Sequence, residues 1–190
     1  MKLLVGLGNP GPEYEMTRHN VGFLALDMIG DNIGCKSISS RFGNSLTGTG
    51  RYRGEKLVLA KPQCFMNRSG AAVSQLAAAY AGCPEDIIII HDDVDLDLGR
   101  LRIKTQGGHG GHKGVLSILR ELGTDRFLRV KIGVGRPPEG MDTPDYVLSP
   151  FDDHDLDILN KVLPIVKDAV LTLVSQGAEI AMNQYNGTGD

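Results

Sequence analysis

Residues able to move protons or stabilise charge gather at a few points along this chain. They are Asn9 in GLGNPG (6–11), Thr17-Arg18-His19-Asn20, Gln63-Cys64-Phe65-Met66-Asn67, Asp92 and Asp93 at the end of IIIIHDD (87–93), and the loop GGHGGHKG (107–114). A histidine with an aspartate partner and amide side chains nearby suits attack by water. The imidazole takes the proton, the carboxylate fixes its tautomer and raises its basicity, and amide N–H groups stabilise the oxyanion. An ordinary histidine pKa of about 6.5 already fits such work near neutrality. With no covalent intermediate and no metal, that chemistry matches an activated ester better than an amide, so the residues suggest hydrolysis of an ester on a polyanionic carrier. Other chemistries lack their parts. There is no G-x-S-x-G elbow, no Cys-His pair in a recognisable setting and no P-loop. His109 and His112 have a metal-compatible spacing but no third ligand of matching type.

Each residue also has a plainer role open to it. Asn9 can support a turn, Asn67 can cap a helix, Asp92 can cap a neighbouring element, and His19 can be a satisfied helix-start histidine. The elements that would position them favour a site. KLLVGL (2–7) reads as a buried strand, and 45–53 with 55–61 read as a hairpin turning at Arg53-Gly54-Glu55. IIIIHDD is a β-branched run typical of a strand covered on both faces. Residues 100–105 and 128–134 add two strands. Helical patterns occupy 19–33, an Ala-rich stretch capped by Asn67 or Ser69 and ending near Gly82, 113–122, and an acidic stretch over 152–183 with a break expected around Pro164. The alternation predicts an α/β fold: a single-domain, three-layer sandwich over 1–190 whose twisted, mixed, mainly parallel sheet is flanked by helices. In such sheets ligands bind beyond the carboxyl ends of the strands, where these polar residues would share one rim.

GLGNPG matches G-x-G-x-x-G, the pattern of a dinucleotide loop. Pro10 and Pro12 flank its last glycine; each removes a backbone donor and pushes the residue before it towards extended geometry. A helix cannot begin before about Thr17, and Asp27, at the spacing of a ribose-binding acid, falls inside the helical pattern. The loop is therefore expected to be a stiff turn presenting Asn9, with no nicotinamide cofactor.

The composition, 41% hydrophobic and 23% charged over 190 residues, is that of an ordinary globular domain. No run approaches the roughly 18–20 apolar residues of a membrane span. Three cysteines without metal-type spacing suggest reduced thiols and a cytoplasmic setting. The net charge is −3, yet Arg100 to Arg136 holds nine Lys/Arg against two Asp/Glu, while Glu139 to Asp190 holds two lysines against ten acids. One concentrated basic stretch is compatible with a phosphate-bearing ligand, and equally with an unevenly charged solvated surface.

The blocks GLGNPGPEYEMTRHNVG (6–22), CFMNRSG (64–70), HDDVDLDLGRLRIK (91–104) and GGHGGHKG (107–114), followed by KIGVGRP (131–137) and YVLSPF (146–151), resemble the bacterial-type peptidyl-tRNA hydrolases. The resemblance covers most of the chain, with the blocks in family order. It implies a monomeric enzyme without a cofactor that cleaves the ester between a peptide and the 3′-terminal ribose of prematurely released peptidyl-tRNA. It further implies His19 as the general base, Asp92 as the carboxylate that holds it, and Asn9 as a residue distinguishing blocked from free aminoacyl-tRNA. Tyr14, Phe65 and Asn67 correspond to contacts with the peptidyl or 3′ end, and Met66 and His112 to the same cleft. Lys104 corresponds to a base for the tRNA 5′-phosphate, and Lys131 stands where a second is expected. The family usually has HGGHNG, so Lys113 replaces an asparagine. An ammonium donates but cannot accept, so Lys113 either donates to a substrate carbonyl or turns out to phosphate. Residues 142–157 are expected to form a flap over the cleft. Two other classes stay open on the residues alone: a catalytically silent RNA-binding domain, and a small-molecule α/β enzyme using a nicotinamide or a metal.

Overall fold

The computed structural model describes residues 1–35 and 37–187. A seven-stranded sheet runs through the molecule in the order β2-β3-β4-β1-β5-β7-β6. Its strands are β1 (Lys2–Gly6), β2 (Ser40–Phe42), β3 (Ser45–Tyr52), β4 (Glu55–Pro62), β5 (Ile87–Asp93), β6 (Leu101–Lys104) and β7 (Leu128–Gly133). The four central strands β4, β1, β5 and β7 are mutually parallel, and antiparallel strands extend both sides. The helices are α1 (Val21–Asn32), α2 (Ser69–Tyr80), α3 (Lys113–Leu122), α4 (Thr143–Val147), α5 (Asp153–Gln176) and α6 (Ala178–Tyr185).

Alternate side chains of the central strands enter two separate cores, as a pleated sheet covered on both faces requires. Leu4, Ile88 and Ile90 pack with α1 and α5, while Leu3, Val5, Ile87 and Ile89 pack with α2 and α3. This is the three-layer α/β sandwich with a mixed sheet that the sequence pattern predicts. The hairpin β3–β4 closes on Arg53-Gly54, both with positive φ (47° and 88°), as a two-residue turn with the right-handed strand twist demands. β2 is too short and polar to leave a pattern in the sequence.

Two local expectations are corrected. Neither Asn67 nor Ser69 caps α2. Arg68 precedes the helix without a side-chain cap, and the Ser69 hydroxyl donates back to the Met66 carbonyl at 2.9 Å. The Gly70 amide is satisfied across the layer by Ser117 Oγ of α3, at 2.9 Å. The acidic C-terminal helix does not break at Pro164. α5 runs through it, because Pro164 and Asn160, whose carbonyl loses its helical partner, are both exposed to water. The break falls at Gly177, whose φ of 89° ends the helix, and α6 then extends to Tyr185.

GLGNPG proves to be a packing device. α1 starts at Val21, beyond two single 3₁₀ turns, Pro12–Tyr14 and Arg18–Asn20. A Cβ on Gly22 would lie 2.4 Å from the Ile90 carbonyl oxygen and one on Gly6 2.4 Å from that of Gly22. Only bare backbone lets the start of α1 sit this close to the ends of β1 and β5. That approach places Arg18–Asn20 over the carboxyl edge of the sheet.

Candidate active site

At that edge lies a cleft of about 570 Å³, within the range of small-ligand sites. Asn9, Tyr14, His19, Phe65, Met66, Asn67, Asp92, His112, Lys113 and Lys131 all line it, so ten of the eleven residues singled out above come together. The eleventh, Lys104, is exposed at the end of edge strand β6 and lies outside the cleft. From segment 142–157, Thr143, Pro144, Val147 and Leu148 of α4 and its end also line the cleft.

At the centre is Asp92, a carboxylate 2% exposed. His19 Nδ1 lies 2.9 Å from both of its oxygens, and His112 Nε2 lies 2.9 Å from Oδ1. Burial alone would raise the pKa of Asp92. Attraction from His19 and then His112, with a hydrogen bond from each, outweighs burial and holds the carboxyl well below its ordinary range. A carboxylate only accepts hydrogen bonds, so His19 carries its proton on Nδ1 and its Nε2 lone pair is the one left to take a proton.

The tautomer of His112 is set independently. Its Nδ1 accepts the Gly114 and Val115 amides, at 3.1 and 3.3 Å, and so caps α3. Nε2 therefore bears the hydrogen donated to Asp92. The two rings sit with centroids 4.9 Å apart. His19, Asp92 and His112 are close enough to hold an ion, with ligand atoms within 4.8 Å of one another. In the arrangement described, however, Nδ1 of His19 and Nε2 of His112 are committed to Asp92 as donors. Coordination there would require His112 to abandon its helix cap.

Asn9, 6% exposed, is fixed at three atoms. Its amide N–H donates to Asn20 Oδ1 (2.8 Å), Asn20 Nδ2 donates to its carbonyl (2.9 Å), and its own Oδ1 accepts the Met66 amide (2.8 Å). The oxygen end of the Asn9 amide is thus spent holding the Phe65–Asn67 turn. Its Nδ2 makes no hydrogen bond to another described residue and remains the end available to a ligand. Phe65 (60% exposed) and Asn67 project from this turn while Met66 is buried beneath them.

Four residues that the sequence reading left without a role support this centre. Arg18 and Asn20 flank His19, and their burial follows from contacts with residues distant in sequence. His91 is 2% exposed and donates from Nδ1 to the Asp92 carbonyl at 2.7 Å. β1 pairs with β5 as far as Leu7 N to Ile90 O and then turns away, so the carbonyl two residues on needs another donor. Burial, then the neighbouring His112, push the His91 pKa well below 6.5, against the pull of Asp92, and Lys131 adds to the lowering. Arg129, also 2% exposed, donates to the Gly107 and Gly108 carbonyls (2.6 and 2.7 Å) and so anchors the glycine loop. The basic stretch is accordingly only partly outward-facing. Lys131 is half-buried and ion-paired with Asp93, whereas Arg102, Lys104 and Lys113 are exposed, as is Arg136 despite its ion pair with Asp95.

A family model described as peptidyl-tRNA hydrolase matches residues 3–190. The chain belongs to the peptidyl-tRNA hydrolase family. Among its relatives, the peptidyl-tRNA hydrolase of Lachnoclostridium phytofermentans is 44% identical over 98% of this chain and 97% of its own. That of Moorella thermoacetica is 45% identical over 97% of each. The crystal structure of peptidyl-tRNA hydrolase from Acinetobacter baumannii superposes with a TM-score of 0.92 at 34% identity, covering 98% of this chain and 95% of that one. Membership therefore extends over the whole sandwich, cleft included. No described helix is long and apolar enough to cross a membrane.

Proposed function

We propose that this chain hydrolyses the ester linking a peptide, or any N-blocked aminoacyl group, to the 3′-terminal ribose of tRNA, with His19 as general base. The observation that carries the mechanism is the paired tautomer assignment around Asp92: His19 is held by Nδ1, leaving Nε2 to take a proton. Water attacking the ester carbonyl gives up its proton to Nε2, and the buried Asp92 carboxylate stabilises the imidazolium that forms. The Nδ2 group of Asn9 and the amide of Asn67 are the donors available to the oxyanion. Return of the proton from His19 to the ribose oxygen releases tRNA and the free peptide. The commitment of the ligand atoms to hydrogen bonds supports a mechanism without a metal. The apolar α4 wall and Tyr14 and Phe65 suit the acyl part, and exposed Lys104 suits a phosphate of the acceptor stem.

The test compares hydrolysis of N-acetylated and free aminoacyl-tRNA, with and without a chelator, by the wild type and by His19→Ala. Selective, chelator-insensitive cleavage of the blocked substrate is expected, with turnover lost in His19→Ala and tRNA affinity kept. Turnover retained in that variant removes His19 as the base. Loss of activity with chelator points instead to a metal.

A further inference from the structure

Arg18 precedes the proposed general base and is itself almost entirely buried, with 8% of its side chain exposed. A guanidinium carries its charge at any accessible pH, so burying one requires dedicated partners. Its partners all lie more than a hundred residues away. Nη1 donates to the Ser149 hydroxyl (2.8 Å), the Pro150 carbonyl (2.6 Å) and, more distantly, the Ser149 carbonyl (3.4 Å). Nη2 pairs with Asp155 Oδ2 at 2.6 Å, in the first turn of α5. Its flat face is covered by the Tyr146 and Phe151 rings, at 4.5 and 5.1 Å from their centroids. Backbone bonds reinforce the contact: the Arg18 amide to the Ser149 carbonyl (3.2 Å) and the Phe151 amide to the Met16 carbonyl (3.1 Å).

Three consecutive residues thus hold three parts of the cleft. Asn20 clamps Asn9, His19 is held by Asp92, and Arg18 grips the end of the wall formed by Thr143–Leu148. We propose that Arg18 is a positioning residue that locks this wall to the turn bearing His19, so that wall and base keep a fixed separation. The proposal rests on the assignment of His19 as the base. It gives segment 142–151 the role of a docked wall and makes the fork geometry of Arg18, rather than its charge alone, the determinant. A lysine at 18 can reach one or two of these acceptors but not Asp155 and the Ser149–Pro150 carbonyls together.

The experiment measures kcat and KM for N-acetylaminoacyl-tRNA with Arg18→Met, Arg18→Lys and Asp155→Asn, each assayed well below its own melting temperature. A misplacement of about 1 Å near a reacting group can cost on the order of 100-fold. Arg18→Met is expected to lower kcat by about 10–100-fold with KM changed less than about threefold, and Arg18→Lys to recover only part of that loss. Asp155→Asn, which leaves the carbonyl contacts in place, is expected to stay within about fivefold of wild type. A folded Arg18→Met with wild-type kcat and merely a lower melting temperature overturns the proposal, as does a rise in KM alone. If Arg18→Met does not fold, unchanged kcat in Arg18→Lys overturns it equally. His19→Ala is run in parallel. Turnover in that variant places the failure in the base assignment, whereas a dead His19→Ala beside fully active Arg18 variants places it in the lock.

Discussion

Replacing Asp92 by Asn tests the tautomer logic at its centre. The change is isosteric, but the amide has one accepting and one donating end. His112 cannot change tautomer without losing the Gly114 and Val115 amides, so it keeps a hydrogen on Nε2 and demands the oxygen at Oδ1. The NH2 group then occupies the position of Oδ2 and faces His19 Nδ1. His19 Nδ1 then faces one donor and one acceptor that it must share with His112; moving its proton to Nε2 relieves the donor–donor contact and turns the lone pair needed by water inward. The cost has two parts. A mispaired buried hydrogen bond is worth about 1–3 kcal/mol. The lost attraction between carboxylate and imidazolium, at about 4 Å and an effective dielectric near 20, is worth about 4 kcal/mol. At roughly 1.4 kcal/mol per decade, the sum predicts a kcat about 10⁴-fold lower, comparable to the loss when the same exchange imposes the wrong tautomer in a serine-protease triad. The assay is steady-state hydrolysis of N-acetylaminoacyl-tRNA, with the melting temperature recorded to establish folding. A kcat within tenfold of wild type would refute the reasoning and reduce Asp92 to a structural bridge between two rings.

Two further outcomes are expected. Lys104→Ala should raise KM several-fold, leave kcat within about twofold, and lower the slope of log KM against log salt by about one, since it removes one phosphate contact; an unchanged slope takes Lys104 out of the contact set. His91 in the fold resists protonation well below its ordinary 6.5, while the unfolded chain takes up that proton. Stability therefore falls as pH drops below about 6.5, by up to about 1.4 kcal/mol per pH unit. Denaturant titrations of His91→Asn between about pH 6.5 and 5 should show a slope shallower by about one proton, and a slope equal to wild type would mean that His91 protonates in place.

Much of the architecture was open to reading because it depends on local pattern. The isoleucine run of β5, the Arg53-Gly54 turn and the helical stripe of α1 each declare themselves within a few residues. The two prolines around Gly11 predicted a stiff turn and a late helix start, and α1 begins only at Val21. Where a local signal competed with a tertiary one, the tertiary one prevailed. Ser69 has the side chain of a cap, yet the Gly70 amide finds Ser117 on another helix. Pro164 is a helix breaker, yet it lies on the exposed face of α5, where water replaces the missing bond.

The site divides in the same way. Residue types and their order along the chain were enough to name His19, Asp92, Asn9 and the glycine-loop histidines, because those residues follow strand ends and strand ends converge on one rim. Arg18 and Asn20 flank a candidate base and His91 ends the apolar run of β5, but nothing local gives any of them a partner or a role. Their importance comes from burial, which is decided by partners up to 137 positions away, as between Arg18 and Asp155. Sequence alone singled out the groups proposed for the chemistry. Only the folded chain decided which nitrogen of each histidine carries the proton, because that depends on hydrogen-bond partners brought together from β5, α3 and the turn before α1.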